Sequence, residues 1–238
     1  MDLRGKPLFY FEGELTGSIT LSEEESRHCA LSLRMKIGDP ILLTNGLGSF
    51  AEGICTKLHP KSSQVEILFH EVVPKSKSYR RLCVAPPKTS ERFDWMIEKA
   101  TEIGVDEILL LETQNSERNK LNLERVHKIA VSTIKQSKQA FLPKIIGIIK
   151  WKQFLEIDIQ GSKYIAHVSM DNATPTLSDL LDENSSSSTI LIGPEGDFSN
   201  EEILSAINLG YKSVSLGNNV LRTETAAMYA LTIFNAFV

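Results

Sequence analysis

The stretch ILIGPEGDFS at residues 190–199 decides the fold predicted for this chain. An apolar run of strand character ends in a Gly-Pro-Glu-Gly turn, and Ser199 with Glu202 then has the pattern of a capping box that opens a helix. In parallel α/β sheets, ligands bind outside the carboxyl ends of strands, where glycines let the backbone approach them. Taken alone, this stretch is equally typical of an ordinary strand–turn–helix connection.

A second stretch, SLGNNVLRTETAA at residues 215–227, repeats the arrangement. A strand ends in Gly217, a loop carries Arg222 between apolar residues, and Thr223 is a suitable N-cap for the next helix. Glu224 suits the first turn of that helix because a carboxylate there opposes the helix dipole, so it has a structural explanation as well as a functional one. The guanidinium group of Arg222 is a natural partner for a carboxylate, a phosphate or the edge of a base.

Strands and helices alternate through the second part of the chain. This alternation predicts a parallel sheet covered on both faces. Residues 184–188 are predicted to form a flexible surface connection. The strands are predicted at residues 82–85, 105–111, 164–168, 189–192 and 214–216, and the helices at 90–103, 123–140, 199–209 and 223–237.

The first part of the chain is rich in short β-type runs and predicts a small barrel. The runs cover residues 8–11, 18–21, 40–44, 49–58 and 64–73, and Ser22 begins a capping-box pattern for a short helix. Asn45-Gly46 is a hairpin signal. Because residues 74–78 are polar and basic, we predict a linker there, with domains at residues 1–73 and 74–238.

Residues 46–51 match the letters of a dinucleotide-binding GxGxxG/A motif. That motif requires a strand, a turn and then a helix, whereas here a strand-like run follows the glycines. We therefore reject a dinucleotide enzyme.

The bulk composition is that of an ordinary soluble globular protein, with 42% hydrophobic and 24% charged residues. The net charge of −4 does not indicate a nucleic-acid binder by itself. However, residues 75–92 contain six basic residues and one acidic residue, and residues 135–152 contain five lysines and no acidic residue. Such stretches either form solvated surfaces or follow a phosphate backbone.

The three cysteines are widely spaced without a CxxC pair, and the five histidines lack metal-ligand spacing, so we expect neither disulfides nor a metal site. The N-terminus is too polar for a signal peptide, and no apolar run reaches membrane-spanning length. We expect a cytoplasmic protein without a membrane partner.

Together the two late motifs resemble the SPOUT class of methyltransferases, and more closely the RsmE-type family of ribosomal small-subunit RNA uridine-N3 methyltransferases. The similarity extends over nearly the whole chain. Other segments that resemble family signatures are His28 with Leu33-Arg34 and Gly38-Asp39, KATEIGV at residues 99–105, Ser116-Glu117-Arg118, Gln136-Ser137 and Leu142-Pro143.

This resemblance implies a PUA-like β-barrel followed by an α/β SPOUT domain with a deep trefoil knot, and a homodimer. It also implies S-adenosylmethionine as the cofactor and 16S ribosomal RNA, or the assembled 30S subunit, as the partner. The cofactor contacts that it implies are His167, Ile192, Gly193, Pro194, Glu195, Gly196, Leu216, Gly217, Val220, Leu221, Thr225 and Ala226.

The expected chemistry is methyl transfer to N3 of uracil, which must lose a proton. We expect Arg222 to orient the uracil or stabilise its anion, and Glu195 and Glu224 to be candidate bases. The predicted RNA contacts are Arg34, Arg80, Arg81, Lys88 and Arg118.

Three positions depart from the family pattern. Asp197 stands where a second Gly usually follows GPEG, Lys135 stands where Glu usually precedes Gln136, and Gln139 stands where Arg is usual.

Two alternatives remain open. One is a SPOUT methyltransferase that acts on another RNA nucleotide, at a ribose 2′-hydroxyl or a transfer-RNA base. The other is an inactive RNA-binding factor for ribosome assembly.

Overall fold

The computed structural model describes residues 6–168, 174–181 and 185–236. The chain divides into two compact units, Met1–Lys75 with Val131–Leu142, and Ser76–Ala130 with Pro143–Val238. The predicted boundary after residue 73 follows the order of the chain, whereas these units follow spatial contacts and place residues 131–142 in the first unit.

The first unit contains a curled five-stranded sheet of order β1-β3-β4-β5-β2. Strand β1 is parallel to β3, and the other pairs are antiparallel. Its elements are β1 (Leu8–Tyr10), β2 (Ser18–Thr20), α1 (Glu23–Arg27) with a π-helical turn (His28–Ser32), β3 (Pro40–Thr44), β4 (Ser49–Lys57) and β5 (Gln64–Val72).

The hairpin signal at Asn45 and the N-cap signal at Ser22 both form, although the predicted capping box at Ser22 shows only its first hydrogen bond. The side chain of Asn45 accepts hydrogen bonds from the amides of Leu47 and Ser49 at 2.9 and 3.1 Å, which closes the loop between β3 and β4. The hydroxyl of Ser22 accepts from the amide of Glu25 at 3.2 Å and caps α1.

The second unit contains a six-stranded sheet of order β11-β9-β10-β6-β7-β8, in which every pair is parallel. The predicted parallel α/β class is therefore confirmed. The elements are β6 (Tyr79–Val84), α2 (Ser90–Ile103), β7 (Glu107–Glu112), α3 (Leu123–Ser137), β8 (Lys144–Lys150), α4 (Trp151–Phe154), β9 (Ser162–Ala166), α5 (Leu177–Leu180), β10 (Ser187–Ile192), α6 (Asn200–Asn208), β11 (Lys212–Val214) and α7 (Thr223–Ala236), of which α3 crosses the division after residue 130.

The sheet of the second unit is covered on both faces, because successive side chains of a strand point in opposite directions. Leu82 and Val84 of β6 pack with residues of α2 and α7. Cys83 and Leu191 point to the other face and pack in an aromatic cluster. The aromatic members of that cluster are Trp151, Phe154, Phe198 and Tyr211.

The structure corrects several element predictions. Strand β8 was not predicted, because Gly147 interrupts its apolar run and lysines stand at both ends. Ser187 and Ser188, predicted to be in a flexible connection, belong to β10 and pair with Tyr79 and Arg80, since a strand between two neighbours is decided by tertiary pairing rather than by propensity. Helix α3 ends at Ser137, whereas the sequence predicted a helix that continues to residue 140.

An ion network lies at the amino ends of β6, β7 and β8. The carboxylate of Glu107 is almost fully buried and lies 2.5 Å from Nε of Arg81 and 3.3 Å from Nζ of Lys144. The hydroxyl of Tyr79 donates to the same carboxylate at 3.1 Å. Burial raises the pKa of the Glu107 carboxyl, but the hydrogen bond and charge of Arg81, with help from Lys144 and Tyr79, bring the pKa below its usual value.

Because of this network, we expect the free energy of unfolding to depend on pH in the acidic range. A carboxyl whose pKa is lowered by folding stabilises the folded state at every pH above its pKa in the unfolded chain, which is about 4.5. That contribution is lost as the pH falls through the lower pKa of the folded state. Glu107→Gln should therefore lower the free energy of unfolding at pH 7 by about 3 kcal/mol, because it leaves the largely buried charge of Arg81 without a carboxylate beside it. It should also flatten the pH dependence of that free energy below about pH 4.5.

Urea unfolding from pH 3 to pH 7 measures both effects. Glu124→Gln is the matched control, because Glu124 forms an exposed pair with Lys128 at 2.8 Å and should change little. A Glu107→Gln profile parallel to that of the unmutated chain would contradict the assignment.

Candidate active site

A cleft of about 620 Å³ lies at the carboxyl ends of β9, β10 and β11. This is the edge of a parallel sheet where ligands bind. Its lining comes from three chain segments, which are residues 166–168 with 174–176 and 179, residues 192–195 with 197, and residues 215–221 with 223 and 226. Residues 169–173, which continue the first segment, lie outside the described ranges.

Hydrogen bonds within the turn after β10, and from the loop after β7, fix the conformation of that turn. The amide of Asp197 donates to the carbonyl of Pro194 at 2.9 Å and closes the turn. The side-chain amide of Asn115, in the loop after β7, donates to the carbonyls of Gly196 and Asp197, each at 3.0 Å. Glycine at position 196 suits this approach, since a Cβ there would lie 3.2 Å from Cβ of Asn115, closer than most such contacts.

The helix after this turn begins as predicted. The hydroxyl of Ser199 and the carboxylate of Glu202 form a complete capping box at the start of α6. The buried Glu202 side chain also accepts from the amide of Gln114 at 2.8 Å. The loop after β7 is therefore joined to the cleft turn through a side chain and through its backbone.

The second turn is joined to the first by a buried hydrogen bond. The hydroxyl of Thr223, at the start of α7, donates to the carbonyl of Gly193 at 3.0 Å. Gly217 has φ +114°, a backbone conformation that other residues rarely adopt. The side chain of Ser215 caps this loop, accepting from the amide of Gly217 at 3.1 Å.

The first segment, which follows β9, is hydrogen-bonded to β11 and to the loop after it. Nε2 of His167 lies 2.6 Å from Oγ of Ser213. Further along, the amide of Ser215 donates to the carbonyl of Pro175 at 2.9 Å, and the amide of Leu177 donates to the carbonyl of Ser215 at 3.0 Å. These contacts bring residues 174–179 to the cleft, although no pattern in the sequence indicated them.

Most of the predicted cofactor contacts come together in the cleft. Gly196 and Thr225 do not line it: Gly196 contacts Asn115, and Thr225 is exposed on α7. The predicted contacts that line the cleft are His167, Ile192, Gly193, Pro194, Glu195, Leu216, Gly217, Val220, Leu221 and Ala226.

The three predicted catalytic residues have different surroundings. Arg222 is exposed between two residues that line the cleft. Glu195 lines the cleft, and its Oε1 accepts from the amide of Lys88 at 3.2 Å. Glu224 does not line the cleft; it is 7% exposed, and its Oε1 lies 3.7 Å from Nε of Arg92 on α2. Among the described residues, Oε2 of Glu224 has no hydrogen-bond partner.

The predicted RNA contacts separate into two groups. Arg80 and Arg81 lie at the amino ends of the strands, with side chains 17% and 18% exposed that pair with Asp106 and Glu107. Both side chains are therefore largely buried beside carboxylates, and their contact with RNA stays a prediction.

The other three predicted RNA contacts reach solvent. Arg34 is exposed on the first unit. Nζ of Lys88 lies 2.5 Å from the carboxylate of Glu117 in an exposed pair. Arg118 stacks over the ring of Phe93 at 5.0 Å. Lys88 and Arg118 belong to the loops after β6 and β7, next to the cleft turn.

The charged side chains that line the described part of the cleft are acidic. Asp179, Glu195 and Asp197 line it, and no Lys or Arg is among the described lining residues. Such a lining favours a ligand that carries positive charge.

Comparison with known proteins identifies two family matches along the chain. Residues 21–68 match the family described as RNA methyltransferase PUA domain, and residues 75–235 match the RNA methyltransferase domain. The ribosomal RNA small subunit methyltransferase E of Mesomycoplasma hyopneumoniae is 33% identical over 187 residues, which cover 74% of this chain and 78% of that protein.

Two solved structures are similar over the whole chain. A probable rRNA-methyltransferase from Porphyromonas gingivalis has 37% identity and a TM-score of 0.89, covering 97% of this chain and 98% of its own. A ribosomal RNA small subunit methyltransferase E from Neisseria gonorrhoeae, solved bound to S-adenosyl methionine, has 26% identity and a TM-score of 0.85, covering 97% of each chain.

The class defined by fold and matches is an RNA methyltransferase with a PUA domain. Within that class, the chain belongs to the ribosomal RNA small subunit methyltransferase E family. The resemblance inferred from the two glycine-bearing motifs is thereby confirmed.

The Asn115 contacts predict how the cleft turn depends on its neighbour. Asn115→Ala removes both hydrogen bonds and should speed amide hydrogen exchange in residues 196–198 about tenfold, because their closed state loses roughly one net hydrogen bond. Gln114→Ala is the control, since Gln114 contributes its backbone amide. Equal exchange in the two variants would contradict the role given to Asn115.

Proposed function

We propose that this protein transfers a methyl group from S-adenosylmethionine to N3 of a specific uridine in 16S ribosomal RNA of the small subunit. The observation that carries the proposal is the cleft formed by the two glycine-bearing turns, in a chain of the small subunit methyltransferase E family. A relative solved with S-adenosyl methionine supports the choice of cofactor.

The properties of the cleft suit this cofactor. A volume of about 620 Å³ lies in the range of small-molecule sites. S-adenosylmethionine carries a sulfonium and an ammonium group, which the carboxylates of Asp179 and Glu195 would favour. We propose that Leu216, Leu221 and Ala226 contact the adenine, and that backbone groups of the two turns supply its polar contacts.

The cofactor supplies an electrophilic methyl carbon, so the protein must position the base and assist the loss of its N3 proton. We propose that Arg222 directs its guanidinium group to the uracil carbonyl oxygens and stabilises the anion. Glu195 is the carboxylate on the cleft wall that we propose as the proton acceptor.

Glu224 is a weaker candidate for the base, because it does not line the cleft. Its burial against Arg92 suggests that it orients this arginine. Breaking such a pair would leave a buried charge without compensation.

We propose Lys88 and Arg118 as RNA contacts beside the cleft, and Arg34 as a contact on the first unit. Exposed ion pairs contribute little stability, so the pair of Lys88 with Glu117 would yield readily to a phosphate.

The remaining features implied by the family resemblance also stay proposals. We propose a trefoil knot, supported by a chain that leaves β11 at the sheet edge and returns as α7 to pack on β6 and β10. We propose a homodimer, supported by exposed Leu204 and Ile207 on one face of α6. Within the described ranges, no helix is long and apolar enough to cross a membrane. We propose the cytoplasm, where ribosomes are assembled.

Labelled cofactor and small-subunit particles, followed by nucleoside analysis, test the function. The proposal predicts label in 3-methyluridine of 16S RNA. Label in a ribose or in transfer RNA would favour another RNA substrate, and cofactor binding without transfer would favour an assembly factor.

Arg222→Ala should lower the rate of methylation at saturating cofactor by about 10²-fold, because it removes a donor aimed at developing negative charge. Its cofactor affinity, measured by calorimetry, should remain within about threefold. Arg125→Ala is the control, because Arg125 pairs with Asp94 outside the cleft lining and should leave the rate unchanged. Full activity of Arg222→Ala would remove Arg222 from the mechanism.

Lys88→Gln should weaken RNA binding and reduce the slope of log affinity against log salt by about 1, as expected for one lost phosphate contact. Lys128→Gln is matched to it, because Lys128 also forms a surface pair with a glutamate, at 2.8 Å. Fluorescence anisotropy with a 16S fragment at several salt concentrations measures the slope. The same slope in both variants would exclude a phosphate contact by Lys88.

A further inference from the structure

Asp197 occupies a backbone conformation that few side chains tolerate. Its φ is +59°, in the left-handed region, where Gly is the usual residue and Asp or Asn are the common substitutes. The departure from the family pattern at this position therefore keeps the turn and adds a carboxylate to it. That carboxylate lines the cleft.

The two oxygens of this carboxylate bind different segments. Oδ1 accepts from the amide of Phe198 at 2.7 Å, within the turn itself. Oδ2 accepts from the amide of Val168 at 2.8 Å, in the segment that follows β9. One side chain thus joins the turn after β10 to another wall of the cleft.

Neighbouring contacts hold both ends of this connection in place. The carbonyl of Asp197 accepts from Asn115, which fixes the turn from the side of β7. His167, adjacent to Val168, is fixed by Ser213 of β11 at 2.6 Å. A Cβ at Gly193 would lie 3.2 Å from Oδ1 of Asp197, so the carboxylate lies close over the glycine backbone.

We propose that Asp197 is a positioning residue that fastens the segment after β9 to the glycine-bearing turn and so sets the affinity of the cleft for the methyl donor. The identity of that donor rests on the proposed function. Asp197 acts through Val168 and the shape of the wall, and it takes no part in transfer of the methyl group.

Two variants separate the backbone conformation from the hydrogen bonds. Asp197→Gly keeps a residue suited to φ +59° but removes both acceptors. Asp197→Asn also tolerates this conformation and keeps one acceptor oxygen. We therefore expect the affinity for the methyl donor to be highest in the unmutated chain, lower in Asp197→Asn and lowest in Asp197→Gly.

The first measurement is hydrogen exchange at the amide of Val168 in the intact chain without ligand. Asp197→Gly should lose the protection of this amide, and Asp197→Asn should keep part of it. The second is calorimetry with S-adenosylmethionine, in which the dissociation constant should rise roughly tenfold for Gly and about threefold for Asn. Thermal unfolding should show that both variants remain folded.

Steady-state methylation separates positioning from catalysis. At saturating donor, kcat of both variants should stay within about twofold of the unmutated value, while KM for the donor follows the calorimetric order. Unchanged protection of Val168 in Asp197→Gly would overturn the proposal. So would an unchanged dissociation constant, or a fall in kcat without a change in KM.

Failure of the proposed function would look different. An unmutated chain that binds the donor but methylates no 16S RNA would contradict the function, while exchange and calorimetry would still decide the role of Asp197. An unmutated chain that does not bind the donor would overturn both proposals.

Discussion

A single buried hydrogen bond, from the hydroxyl of Thr223 to the carbonyl of Gly193, holds together two turns separated by thirty residues in the chain. Without it, Thr223 at the start of α7 and Gly193 after β10 would each lose a hydrogen-bond partner, at a cost of about 1–3 kcal/mol for each buried group left unsatisfied. Because both turns line the same cleft, this contact holds two of its walls against each other.

The parallel sheet makes that contact possible. Its two faces are packed by separate apolar clusters, so the strands have little freedom and their ends are well fixed. The two edges then have different uses. At the amino edge, Glu107 and Arg81 form a buried ion network that affects stability. At the carboxyl edge, glycines and loop side chains leave a cleft, which Glu195 lines and Arg222 adjoins.

Much of this architecture could be predicted from the sequence, because its signals are local. The capping box at Ser199, the hairpin at Asn45 and the alternation of strands with helices all depend on neighbouring residues. Pairing across the sheet is not local, which explains why β8 and the start of β10 were missed. Glycine turns indicated two walls of the cleft, whereas residues 174–179 carry no such signal and are placed there by tertiary contacts such as the bridge to Ser215.

Individual side chains were harder to place than backbone turns. Arg80 and Arg81 were interpreted from a basic stretch of sequence, yet strand pairing puts them beside Asp106 and Glu107. Asn115 carried no signal, since an asparagine in a loop is common and its two acceptors lie more than eighty residues away in the chain. Charge patterns predict a surface only when the strand register is known.

The most direct measurement is a crystal structure of the chain grown with S-adenosylmethionine. We expect the cofactor in the cleft between residues 193–197 and 215–221, with its methyl group facing the opening near Arg222 and Glu195. A cofactor bound elsewhere on the molecule, or a cleft whose two turns are separated in the crystal, would contradict the central claim.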